Sequence, residues 1–183
     1  INAGLVGSEM CIRDSTYRGD GNQDYMRFNV ATTFTRAAEE ALIDVESSIH
    51  VGARGPTNDS GVFNHTRDVG YGLIDGTELF NAGLRNTAKN IVESLKGRSV
   101  YLCFDMDFFD PSCAPGVCTP TWGGATSREG LDFLQNLTGL NLVGADINTV
   151  SPPHDISGMT AFLAATVGLE ILSVICHSKG LVE

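Results

Sequence analysis

Val100-Tyr-Leu-Cys-Phe104 is an unbroken apolar run that passes straight into Asp105-Met-Asp107. A run this short and this apolar marks a strand buried on both faces, the kind found in parallel sheets. Parallel neighbours need long crossovers, and the rest of the chain supplies them. The segment TTFTRAAEEALID, from Thr32, predicts a helix capped by Thr32 or Thr33, with Phe34, Ala37, Ala38, Ala41 and Leu42 on one face. Ile49, Val51 and Ala53 alternate with polar or small residues and predict a short strand ended by Gly55-Pro56. Residues 57–75, rich in Gly, Asn and Asp, predict a long irregular connection.

A helix over residues 77–95, closed by Gly97, follows. Thr126-Ser-Arg-Glu129 has the form of a capping box and opens a helix running to Leu137. Residues 140–147 predict a second buried strand, residues 159–171 an apolar helix, and residues 172–176 a last strand. Strands alternating with helices of this length imply an α/β fold: three layers, α/β/α, around a mainly parallel sheet. No internal repeat or low-complexity tract interrupts the pattern.

At 183 residues, 42% hydrophobic and 19% charged, the chain suits one globular domain. Its net charge of -10 argues against a nucleic-acid partner, because phosphate would repel it. There is no uninterrupted apolar run of about 18 residues, so no membrane span is expected. The five cysteines (Cys11, Cys103, Cys113, Cys118, Cys176) are odd in number and scattered, which suits a reducing cytoplasmic setting. Cys113 and Cys118 lie close together but lack further ligands at zinc-type spacing. The opening INAGLVGSEMCIRDS lacks the form of a signal peptide. It resembles translated adapter read-through, so residues 1–15 are expected to be a non-native leader, the alternative being a natural flexible terminus. On the first reading, residues 16–183 are the C-terminal part of a single domain.

The chemistry concentrates in Phe104-Asp-Met-Asp-Phe-Phe-Asp-Pro111. Side chains at i and i+2 of a strand share a side, so Asp105 and Asp107 are expected to face one point. Sites in open α/β sheets lie beyond the carboxyl ends of strands, where these two fall. Adjacent carboxylates repel unless a cation lies between them, and carboxylate oxygen suits manganese or another hard divalent ion. The plainer alternative is a loop in which Asp110 caps a turn before Pro111 and the other two are solvated.

The whole stretch FDMDFFDPSCAPGVCTPTWGG resembles the signature of the ureohydrolases, the arginase and agmatinase family. That signature has a strand ending in Asp-x-Asp, then Asp-Pro, a Pro-Gly turn, Thr-Pro and a Gly-Gly pair. Here the matching residues are Asp105, Asp107, Asp110, Pro111, Ala114, Pro115, Gly116, Thr119, Pro120, Gly123 and Gly124. EEALID, HVGARG and GADINTVSPPHD resemble other segments of agmatinase-like enzymes, so the likeness spans nearly all of residues 16–175.

The resemblance implies two divalent metal ions, manganese first and nickel as the other candidate. In that family a bridging hydroxide attacks a guanidinium carbon and releases urea with ammonia or an amine. Asp105 and Asp107 would be metal ligands, and Asp110 would fix the turn. The chain departs from the family in three places. The upstream histidine and Asp-Ala-His-x-Asp ligands are missing, as expected of an N-terminally truncated chain that holds metal poorly alone. His50, His65, His154 and His177 do not replace them. The stretch Phe28-Asn-Val-Ala-Thr32 lacks the histidine of a Ser-His-Gly-Thr-like segment.

Thr149 is the third departure, standing where the family presents a glutamate to the substrate guanidinium. Trp122 could hold a planar guanidinium by cation–π attraction, on the order of 1–2 kcal/mol when desolvated, or could simply pack. Thr149 and Trp122 are therefore the substrate-binding candidates. TPTWGG with NTVSPPHD resembles the guanidine hydrolase and guanidino-acid hydrolase branch. The alternatives are an agmatinase and a non-catalytic subunit of the same fold; family members are commonly homo-trimers or hexamers. A Rossmann nucleotide enzyme ranks last, since no G-x-G-x-x-G opens a helix.

Overall fold

A computed structural model of the chain describes residues 3–8, 16–18, 27–55 and 61–181. In chain order the regular elements are β1 (Ala3–Ser8), α1 (Thr33–Glu39), β2 (Ile49–Ala53), α2 (Val62–Val69), β3 (Gly72–Asp75) and α3 (Gly76–Ala82). These are followed by α4 (Leu84–Ser94), β4 (Ser99–Asp105), α5 (Ser127–Gln135), β5 (Asn141–Asn148) and α6 (Met159–Ser178). The strands form one sheet in the order β3-β2-β1-β4-β5, and every neighbouring pair is parallel. Of the leader expected over residues 1–15, residues 3–8 form β1, between β2 and β4; residues 9–15 lie outside the described residues.

Alternation sets successive side chains of β2 and β4 on opposite faces of the sheet. Val100, Leu102 and Phe104 of β4 join Leu84, Ala88 and Ile91 of α4, Phe133 and Leu134 of α5, and Val167, Ile171 and Val174 of α6 in the main core. Across the sheet, His50 of β2 is buried between the rings of Phe34 and Tyr71, at centroid distances of 5.6 and 4.9 Å. The expected three-layer α/β/α arrangement around a parallel sheet is therefore present.

Four sequence expectations need correction. The helix expected over residues 32–44 ends at Glu39, with Ala41 at φ 52° and Leu42 exposed beyond it. Residues 172–176 are not a strand but the last turns of α6, whose buried positions Thr160, Val167, Ile171 and Val174 recur at helical spacing. Residues 57–75 are not wholly irregular, because α2 and β3 lie within them. The helix expected over residues 77–95 is two helices, broken at Gly83, whose φ of 84° lies outside the range of a right-handed helix.

By length and composition α6 could cross a membrane, with a mean hydropathy of 2.0. Here it packs on β5 and α5. Asp155 caps it, accepting hydrogen bonds from the backbone N–H groups of Thr160 and Ala161, both at 2.9 Å.

Candidate active site

Because every strand is parallel, all carboxyl ends fall on one rim, and β4 ends there at Asp105. The chain then tightens into a 3-10 turn over Met106–Phe108, with the Asp105 side chain accepting from the Asp107 backbone N–H at 3.2 Å. The two carboxylates therefore converge through a turn rather than through strand alternation. Both are buried, Asp105 at 4% and Asp107 at 0% exposure. Two hydroxyls hold them: Thr119 Oγ1 donates to Asp107 Oδ2 at 2.6 Å, and Thr149 Oγ1 donates to Asp105 Oδ1. Burial first, then the charge of Asp107, pushes the Asp105 carboxyl well above the usual carboxylate range, against the pull of the Thr149 hydroxyl.

That electrostatic conflict is the condition a divalent cation relieves, and the donor set is hard oxygen. The pair thus fits a metal ion as part of a coordination set. Among the described residues no third His, Cys, Asp or Glu joins it.

Around the pair, the signature loop is fastened in three ways. Asp110 accepts from the backbone N–H groups of Ser112 (2.9 Å), Gly123 (2.9 Å) and Gly124 (3.3 Å). The Ser112 side chain first, then these N–H groups, hold its carboxyl below the usual range. Its structural role is the one expected. Gly116 backs onto the α6 cap, where a Cβ would lie 2.5 Å from the Cβ of Asp155, so only glycine fits. The loop is also stitched to the end of β5: Cys118 N–H donates to Thr149 O (3.0 Å) and Ser151 N–H to Gly116 O (2.8 Å). Thr149 itself adopts φ 66°, a left-handed backbone that a β-branched residue seldom takes; such strain gathers at functional sites.

Arg54, just beyond β2, was not singled out from sequence. Its Nη2 donates to the backbone carbonyls of Asp107 (2.7 Å), Thr121 (3.1 Å) and Phe109 (3.2 Å). Burial lowers its pKa to about 10, while Asp107, Asp110 and Asp105 draw it back up, so it stays cationic at neutral pH. The signal available was its position, an arginine at the carboxyl end of a strand in HVGARG. Thr119 was visible only as a member of the signature.

Asp105, Asp107 and Thr149 thus come together, whereas Trp122 stands apart. It is 76% exposed, on the rim of a cleft of about 510 Å³ also lined by Arg54, Phe63, Asp75 and Phe80. On the sheet face shared with Asp105, Tyr101 donates to Asp146 (2.6 Å), and the Asn148 amide bridges Asp146 and the Cys103 thiol.

The arginase family model matches residues 19–173. The chain belongs to the arginase family. This arginase-family chain is 36% identical over 144 residues to a guanidinobutyrase of Pseudomonas aeruginosa, covering 79% of this chain and 45% of that protein. It is 34% identical over 165 residues to a guanidinopropionase of the same organism, covering 90% and 51%. With an agmatinase of Photorhabdus laumondii the identity is 36% over 153 residues, covering 84% and 47%. The chain spans about half the length of the curated relatives it matches. Among solved structures, proclavaminate amidino hydrolase from Streptomyces clavuligerus superposes with a TM-score of 0.83 at 30% identity, covering 97% of this chain and 56% of that one. Arginase from Bacillus caldovelox shares the fold, with a TM-score of 0.78 at 22% identity and coverage of 93% and 60%.

Proposed function

We propose that this chain belongs to a metal-dependent hydrolase that splits a small guanidino compound, guanidine or a guanidino acid, into urea and ammonia or an amine. The observation that carries the reading is the buried Asp105–Asp107 pair at the carboxyl end of β4, inside the arginase-family signature. Asp105 and Asp107 would hold two divalent ions together with ligands beyond the described residues. Manganese is the first candidate and nickel the second. When bound, such ions make water nucleophilic near neutral pH.

The chain's own residues prepare that site. Thr119 and Thr149 orient the two carboxylates, and Asp110 holds the loop in register with Gly123 and Gly124. Thr149 also occupies the family's substrate-carboxylate position, so it meets the guanidino group with a hydroxyl rather than a charge. The exposed indole of Trp122 offers a flat π-face to a guanidinium. The relatives named for guanidinobutyrate and guanidinopropionate favour a guanidino acid, while the likeness to agmatinase keeps agmatine as the second reading. We place the working enzyme in the cytoplasm as a homo-oligomer, a trimer or hexamer.

Asp105→Ala and Asp107→Ala in the intact protein should each abolish urea release and lower the metal measured by elemental analysis. Full metal content and full turnover in both would sink the assignment. Trp122→Ala should raise KM for small guanidino substrates while leaving metal content intact; an unchanged KM would return Trp122 to a rim position without a binding role. Steady-state rates on guanidine, 4-guanidinobutyrate and agmatine separate the two substrate readings.

A further inference from the structure

Arg54 reaches from the end of β2 to the loop that follows β4, and its guanidinium end occupies a built socket. One nitrogen, Nη2, serves three backbone carbonyls, those of Asp107, Phe109 and Thr121. The fourth wall is Gly124, where a Cβ would stand 2.3 Å from that same nitrogen. These contacts bind both ends of the signature loop, the Asp107 turn and the Thr121–Gly124 return, to a single cation at the end of β2, with β1 between that strand and β4. Arginine holds that nitrogen at the end of a rigid planar group, whereas a lysine ammonium is a compact point charge on a shorter, flexible stem.

We propose that Arg54 is a positioning residue for the metal-holding pair. By gripping the carbonyls of Asp107 and Phe109 it sets the turn that presents the Asp107 carboxylate beside Asp105. Its positive charge behind the turn also eases the repulsion between the two acids. The inference rests on the reading of Asp105 and Asp107 as metal ligands.

The test is the Mn²⁺ dissociation constant of the intact protein, measured by the paramagnetic resonance of free Mn²⁺, in wild type, Asp107→Ala, Arg54→Lys and Gly76→Ala. Groups that orient metal ligands typically change affinity by 10–100-fold, so Arg54→Lys should weaken Mn²⁺ binding about ten-fold or more with secondary structure retained. Its kcat should fall while KM for the guanidino substrate holds. Gly76→Ala is the milder probe, because its new Cβ would lie 3.1 Å from the Cβ of Arg54 and nudge that side chain without removing its charge. It should weaken Mn²⁺ binding in the same direction, and it decides the matter should Arg54→Lys not fold. A lower melting temperature with an unchanged Mn²⁺ constant in the folded variants would overturn the positioning role and leave a structural brace. Undiminished Mn²⁺ binding in Asp107→Ala would instead overturn the ligand reading, and the inference with it.

Discussion

Tyr101 shows how a single side chain on the polar face of the sheet records its neighbours. Its hydroxyl donates to Asp146 at 2.6 Å, and its pKa is pushed up to about 12, first by that hydrogen bond, then by burial and the charge of Asp146. The folded value lies above the unfolded one, so this stabilisation is present below the ordinary tyrosine range and is lost as pH rises through about 12. Phenolate absorbance at about pH 11, above the ordinary tyrosine pKa, should therefore rise on Asp146→Asn by the ionisation of one added tyrosine. Identical titrations of the two proteins would show that the contact does not persist in solution. Thr149, Asp105 and Cys103 lie on or beside this network, so the same comparison reports on the lining of the candidate active site.

Helix α5 is where sequence and structure agree most closely, because its start is written in local chemistry. Thr126 accepts from the Glu129 N–H at 3.2 Å, and the Glu129 carboxylate accepts from the Thr126 N–H at 2.9 Å. Thr126→Ala should cost about 1 kcal/mol of stability in urea denaturation with an unchanged slope. A loss near zero would mean that packing of Phe133 and Leu134 alone sets the helix. Buried strand β4 was equally legible, since an apolar run that short has few alternatives. Residues 172–176 misled because Leu-Ser-Val-Ile-Cys is β-branched and apolar, yet no glycine or proline stops α6 before Gly180, and burial at positions 167, 171 and 174 follows a helix. Helix α2 was hidden by Gly- and Asn-rich flanks, although Gly70, at φ 111°, closes it as a left-handed cap should. In the candidate site, spacing pointed to the pairing of Asp105 with Asp107, although a turn rather than strand alternation brings them together, and Asp110 was legible through the signature. Arg54 was not, because its partners are backbone carbonyls more than fifty residues away, and backbone acceptors leave no mark on composition.

At the scale of the whole molecule, polarity is uneven. The outer side of α6 presents Met159, Phe162, Leu169 and Leu172 to solvent, with Leu169 at 67% and Leu172 at 56% exposure. Beside it, β5 is an edge strand of the described sheet. Apolar surface of this kind drives association. The 183-residue chain should therefore sediment as larger species, and Leu169→Gln with Leu172→Gln should shift it toward the monomer while changing stability by no more than about 0.5 kcal/mol per site. Unchanged sedimentation velocity profiles would locate any association elsewhere. The sheet's single direction has one more consequence. The site rim gathers every strand's carboxyl end, so the turns that enter the strands lie at the opposite edge, among them the exposed turn from α4 into β4, where Gly97 (φ 77°) has open space around it. A tag or reporter domain spliced in at Gly97 would hang a full strand length from Asp105, giving a labelling point that leaves the chemistry undisturbed.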